Sequence, residues 1–262
     1  MKKHKIIWFY IFTIMFTVIL GGTFAALLDA ENPSQYAISL AGAQLSPLCG
    51  LLLLCLLRGK DFTPFKEMNW KISSSNKLIL VLLAVLIPVF IICGSALTLS
   101  AIGKPYVPGA FNTAVPLVIV TVASIIGSIG EEVGWRGFML PVFREKHSLL
   151  FSSVFTGLLW GAWYFGKISL FGITGYLLFV LMVTEWSVLM AWIFYKTGKS
   201  LPLMIAFHFV INICSVLMLN EREGISFYIA GCIVGGLLCL IVIVTNKLKL
   251  QRRTPPWTKK AR

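Results

Sequence analysis

The chain has 262 residues, of which 58% are hydrophobic and only 13% charged, with a net charge of +13. A soluble domain carries about a quarter of its residues as charges, so this composition excludes an ordinary soluble protein. The basic residues gather at the ends of long apolar blocks, as topology signals do, which excludes nucleic acid as the reason for the charge.

The blocks are continuous and do not alternate with period two, so helices are expected and a barrel is not. A span needs about 20 apolar residues. Eight stretches qualify in chain order: 6–28, 36–57, 78–102, 114–135, 149–166, 172–195, 202–219 and 225–246. The first is longer than the apolar core of a signal peptide and reads as an uncleaved span. Links such as "DAENPSQ" and "GKPYVPG" separate the spans, and no repeat is visible. The expected fold is all-α: a polytopic membrane helical bundle of about eight transmembrane helices. It forms a single membrane domain over 1–262, with 247–262 as a basic cytoplasmic tail. Cys49, Cys55, Cys93, Cys214, Cys232 and Cys239 lie inside apolar segments without metal-type spacing and read as packing residues.

Eight spans place 20 of the 23 lysines and arginines on one side, leaving Lys104, Lys167 and Arg222 on the other. The positive-inside rule then puts both termini in the cytoplasm, in the cell membrane.

Ionisable groups inside a bilayer are costly and mark function by default. Span 4 ends in "IGSIGEEVGWRGFML". Glu132 and Arg136 are four residues apart on one helix face and can pair, which would leave Arg136 near the inner interface. Glu131 points about 100° away and is free to face another cavity. Gly127, Gly130, Gly134 and Gly137 form a small face that another helix can approach closely. On span 7, His208 and Asn212 share a face, and each needs a partner there. With Arg136 and Pro202 as inner ends, Glu131 and His208 both lie about 7–9 Å deep. On span 5, Trp160 and Tyr164 read first as an aromatic belt or packing face. Tyr164 sits about 22 Å along its helix, so to meet Glu131 that helix must begin outside the bilayer, tilt or break. Glu185, mid-span with no neighbouring base, is expected to be neutral, to pair with a group such as His208, or to face a wet cavity.

These pieces, in this order, resemble the CPBP family of intramembrane proteases, also called Abi or CAAX-protease-like. That family carries Glu-Glu-x-x-x-Arg, then Phe-x-x-x-His, then His-x-x-x-Asn or His-x-x-x-Asp. "EEVGWR" (Glu131 to Arg136) and "HFVIN" (His208 to Asn212) are complete; in "WGAWY", Trp160 stands for Phe and Tyr164 for His. The resemblance covers about 115–214. It implies that Glu131 activates water, that Glu132 and Arg136 support it, and that His208 and Asn212 polarise the scissile carbonyl with help from Tyr164. It leaves the cofactor open between a metal-free site and a divalent metal such as zinc. The implied substrate is a membrane-associated peptide or protein reaching the site from the cytoplasmic side, among membrane lipids. Prenylated CAAX proteins are the family's eukaryotic substrates, but no prenyl-binding feature is visible here and a different peptide is expected. Two other readings stay open: a non-catalytic relative that binds a membrane partner, such as a sensor kinase or a bacteriocin-related peptide, and a small-solute carrier. Tyr164 favours the former, and the missing inverted repeat counts against the latter.

Overall fold

A computed structural model describes residues 4–29, 32–103, 117–218 and 224–246. The basic tail, Lys104 and Arg222 lie outside the described residues. Among the described residues ten α-helices follow in order: α1 Lys5–Leu27, α2 Pro33–Gln44, α3 Ser46–Arg58, α4 Lys77–Ala101, α5 Leu117–Gly134, α6 Leu140–Arg144, α7 Leu149–Trp163, α8 Lys167–Lys196, α9 Leu201–Met218 and α10 Gly224–Thr245. Six helical stretches among the described residues are long and apolar enough to cross a membrane, and Leu149–Trp163 and Leu201–Ser215 are shorter apolar helices. The protein is therefore a multi-pass helical membrane bundle.

Two prolines and one glycine account for the breaks inside spans. Pro47 has no N–H to give the Ala43 carbonyl. That carbonyl takes the Ser46 hydroxyl instead at 2.5 Å, and the second span splits into α2 and α3 after Gln44. Pro141 likewise cannot donate to residue 137, and Trp135–Met139 form a wider π turn before α6. In α8, Gly172 takes φ 65°, ψ 179°, a conformation suited to glycine, and separates the first turn from the long span beyond.

The fourth span is longer than the charge pattern suggests. It runs as one helical stretch from Leu117 through the π turn to Arg144, and Arg136 inside it is fully buried. Arg136 therefore lies within a helical stretch and not at its end, where the charge pattern put it. Its guanidinium is neutralised by Glu132 and lies over Trp160, so the charge can sit inside the bundle. This removes the depth conflict. Glu131 is thirteen residues from Arg144 and Tyr164 fifteen from Leu149, about 20 and 22 Å along their helices.

The small face of α5 receives the α2–α3 break. A Cβ on Gly130 would lie 2.6 Å from the Gln44 carbonyl oxygen and 2.8 Å from Leu45 Cα, both backbone atoms; on Gly134 it would meet Pro47 at 2.5 Å. Gly130→Ala should therefore push two helices apart and destabilise the bundle by about 1–3 kcal/mol. A melting curve in detergent reads this, and an unchanged midpoint would mean that the contact is looser than described.

Glu185 does not meet His208. Its carboxylate lies against α10, where a Cβ on Gly235 would come within 2.6 Å of Oε2. That oxygen is buried without a hydrogen-bond partner among the described residues. An amide there gives up no protein hydrogen bond of that oxygen, so Glu185→Gln should leave expression and melting unchanged. Loss of the folded chain would show that the carboxyl itself is structural.

Candidate active site

Glu131, Glu132 and Arg136 are wholly buried and His208 is 2% exposed. The last turns of α5, the π turn, α7 and α9 bring these groups together. Arg136 Nη1 donates to Glu132 Oε1 at 2.8 Å, the expected i, i+4 pair. His208 Nδ1 lies 2.8 Å from the same oxygen. That contact fixes the imidazole, whose Nε2 then faces Glu131 Oε1 at 3.8 Å. Glu132 thus holds two cationic or potentially cationic groups and orients the histidine.

Glu131 is on the other side of α5, as the helix period requires, but it is not free. The Trp160 indole N–H donates to Oε2 and the Tyr164 hydroxyl to Oε1, each at 2.5 Å. Each carboxylate oxygen has a further lone pair, so two donors orient the group without exhausting it. The stripe of Trp160 and Tyr164 therefore has a polar edge as well as a packing face. Trp160 also stacks edge-on against His208, with ring centroids 5.2 Å apart, and carries Arg136 at 4.1 Å over its ring.

Asn212 is the expected site residue that does not reach Glu131. Its Nδ2 donates to Ser128 Oγ at 3.3 Å, one turn away along α5. Two further residues escaped the sequence reading. Trp160 was assigned to packing, although tryptophan at that place differs from phenylalanine in having an N–H to donate. Gln44 was not singled out; it is 5% exposed and its Nε2 lies 3.2 Å from the Tyr164 hydroxyl. The available signal was an amide inside an otherwise apolar span.

A zinc ion here would draw on Glu131, Glu132 and His208, and the donor set does not fit it. His208 Nδ1 and Arg136 Nη1 share one oxygen of Glu132, and a phenol takes the place of a second imidazole. Among the described residues no three of His, Cys, Asp and Glu are arranged to hold a metal.

Residues 113–214 match the family model described as type II CAAX prenyl endopeptidase Rce1-like. The chain is also 27% identical over 142 residues to CAAX prenyl protease 2 of Methanococcus maripaludis. That alignment covers 48% of this chain and 52% of the relative, so the chain matches about half the relative's length.

Proposed function

The chain belongs to the CPBP family, and on that footing we propose that it is an intramembrane endopeptidase using water activated by Glu131. The observation that carries this reading is a fully buried carboxylate held by two donors, with an imidazole nitrogen 3.8 Å away. Water gives a proton to Glu131 and its oxygen bonds to the scissile carbonyl carbon. His208 stabilises the resulting oxyanion, with Glu132 orienting the ring. The carbon–nitrogen bond then breaks and Glu131 returns the proton to the leaving amine. Asn212 acts one turn away, on the polypeptide beside the scissile bond. Arg136 holds Glu132, and Tyr164 and Trp160 hold Glu131.

The substrate is a membrane-associated peptide or protein tail entering from the cytoplasmic side of the cell membrane. The test is to reconstitute the purified chain in liposomes with two quenched fluorescent peptides. One ends in a farnesylated Cys-aliphatic-aliphatic-X sequence, and the other is an apolar, unprenylated membrane peptide. Mass spectrometry identifies the bond cut. Failure to cut either, by folded protein, would overturn the reading.

A second reading is a non-catalytic relative that binds a membrane partner. It is favoured by one observation: both Glu131 oxygens already accept hydrogen bonds, as a structural carboxylate's would.

The sidedness is a proposal resting on the charge bias. Tags at either terminus should be protected outside intact cells, and tags at residue 32 or 222 accessible. An external C-terminus would reverse the side from which substrate enters.

A further inference from the structure

We propose that Gln44 is a positioning residue of this site, fixing the Tyr164 hydroxyl as a donor to Glu131. The inference rests on the endopeptidase reading for its consequence, though not for its geometry. A hydroxyl has one proton to give and two lone pairs. Gln44 Nε2 donates to the Tyr164 oxygen at 3.2 Å, and Tyr164 lies 2.5 Å from Glu131 Oε1. The amide occupies a lone pair, which directs the phenolic proton to Glu131. The chain of donation runs one way, from amide to phenol to carboxylate, so each bond polarises the next.

The backbone holds Gln44 firmly in this role. It is the last residue of α2, at the break that Pro47 imposes. Its carbonyl packs on Gly130, and its side-chain amide packs on Gly127, where a Cβ would collide with it. Gln44 is buried, so water does not replace its amide at low cost.

The arrangement also explains how a phenol serves where the family pattern has histidine. An imidazole is oriented through its second ring nitrogen. A phenol has a single polar atom, and its O–H rotates unless another group sets it. Gln44 is that group. Its importance therefore depends on the Tyr164 hydroxyl, and this dependence distinguishes positioning from simple packing.

The test uses Gln44→Leu, Gln44→Glu, Tyr164→Phe, Glu131→Gln and each Gln44 change combined with Tyr164→Phe, all in liposomes. Gln44→Glu keeps the shape should Gln44→Leu fail to fold, and it turns the donor into an acceptor that competes for the phenolic proton. Two readouts are taken: cleavage of the two peptides named above, and the 13Cζ resonance of Tyr164 in tyrosine-labelled protein, assigned by its loss in Tyr164→Phe. Each Gln44 change should lower kcat about tenfold, the worth of one hydrogen bond, with KM unchanged. The same change in the Tyr164→Phe background should cost less than about twofold. The Tyr164 resonance should move in both Gln44 variants and in Glu131→Gln. Equal losses with and without the hydroxyl, or a resonance that ignores Gln44, would overturn the proposal. If the native chain cuts neither peptide, the endopeptidase reading falls, and the resonance alone decides whether Gln44 sets the phenol.

Discussion

Glu131→Gln should abolish measurable peptide cleavage and leave the bundle folded. The substitution keeps the shape and one acceptor oxygen but removes the group that takes a proton from water. General bases contribute roughly 10²–10⁴ in rate, and the loss should fall in or beyond that range. The fold should tolerate the change. Trp160 can donate to the remaining oxygen, while the Tyr164 hydroxyl, whose proton Gln44 directs at residue 131, meets the new amide as a second donor. The cost is at most one mismatched hydrogen bond, about 1–3 kcal/mol. The binding-protein reading predicts the opposite: Glu131→Gln keeps its phenotype, while larger side chains at Gly130 or Gly134 disrupt the protein. Measurement is of cleavage in liposomes at matched protein level, with melting to confirm folding. A native rate for Glu131→Gln would remove the catalytic assignment.

The helical class and the close approach at Gly127, Gly130 and Gly134 were legible in the sequence because both follow from residue type and period. Apolar blocks of about 20 residues can hardly be anything but helices in a membrane, and glycines three or four apart lie on one face whatever packs against them. The pairing of Glu132 with Arg136 was legible for the same reason. The position of Arg136 was not. A charge ordinarily marks the end of a span, but Arg136 is paired with Glu132 and stacked on Trp160, so it lies inside one. That single misplacement produced the apparent mismatch in depth between Glu131 and Tyr164. Trp160 and Gln44 were illegible for another reason: their roles depend on which helices become neighbours. Gln44 is 120 residues from Tyr164, and only the packing of α2 on α5 beside α7 brings them together.

Arg136→Met should be the most destabilising single change at the site. The native guanidinium is fully buried, donates to Glu132 Oε1 at 2.8 Å and lies 4.1 Å over the Trp160 ring. Methionine fills much of the space but leaves Glu132 with only His208 as a polar partner. Removing one member of a buried ion pair costs about 3–5 kcal/mol, because the other charge stays behind unmatched. Thermal unfolding in detergent should show a large fall in midpoint. The cause can be separated from lost packing by a second change. Glu132→Gln/Arg136→Met removes the stranded carboxylate while keeping its shape, and a neutral replacement for a buried pair is often tolerated. The double variant should therefore be more stable than Arg136→Met alone, although it would lack the carboxylate that orients His208 and should not cleave peptide. Equal midpoints for the single and double variants would instead assign the loss to the stacking of Arg136 on Trp160. An unchanged midpoint for Arg136→Met would mean that Glu132 does not need its arginine to remain buried.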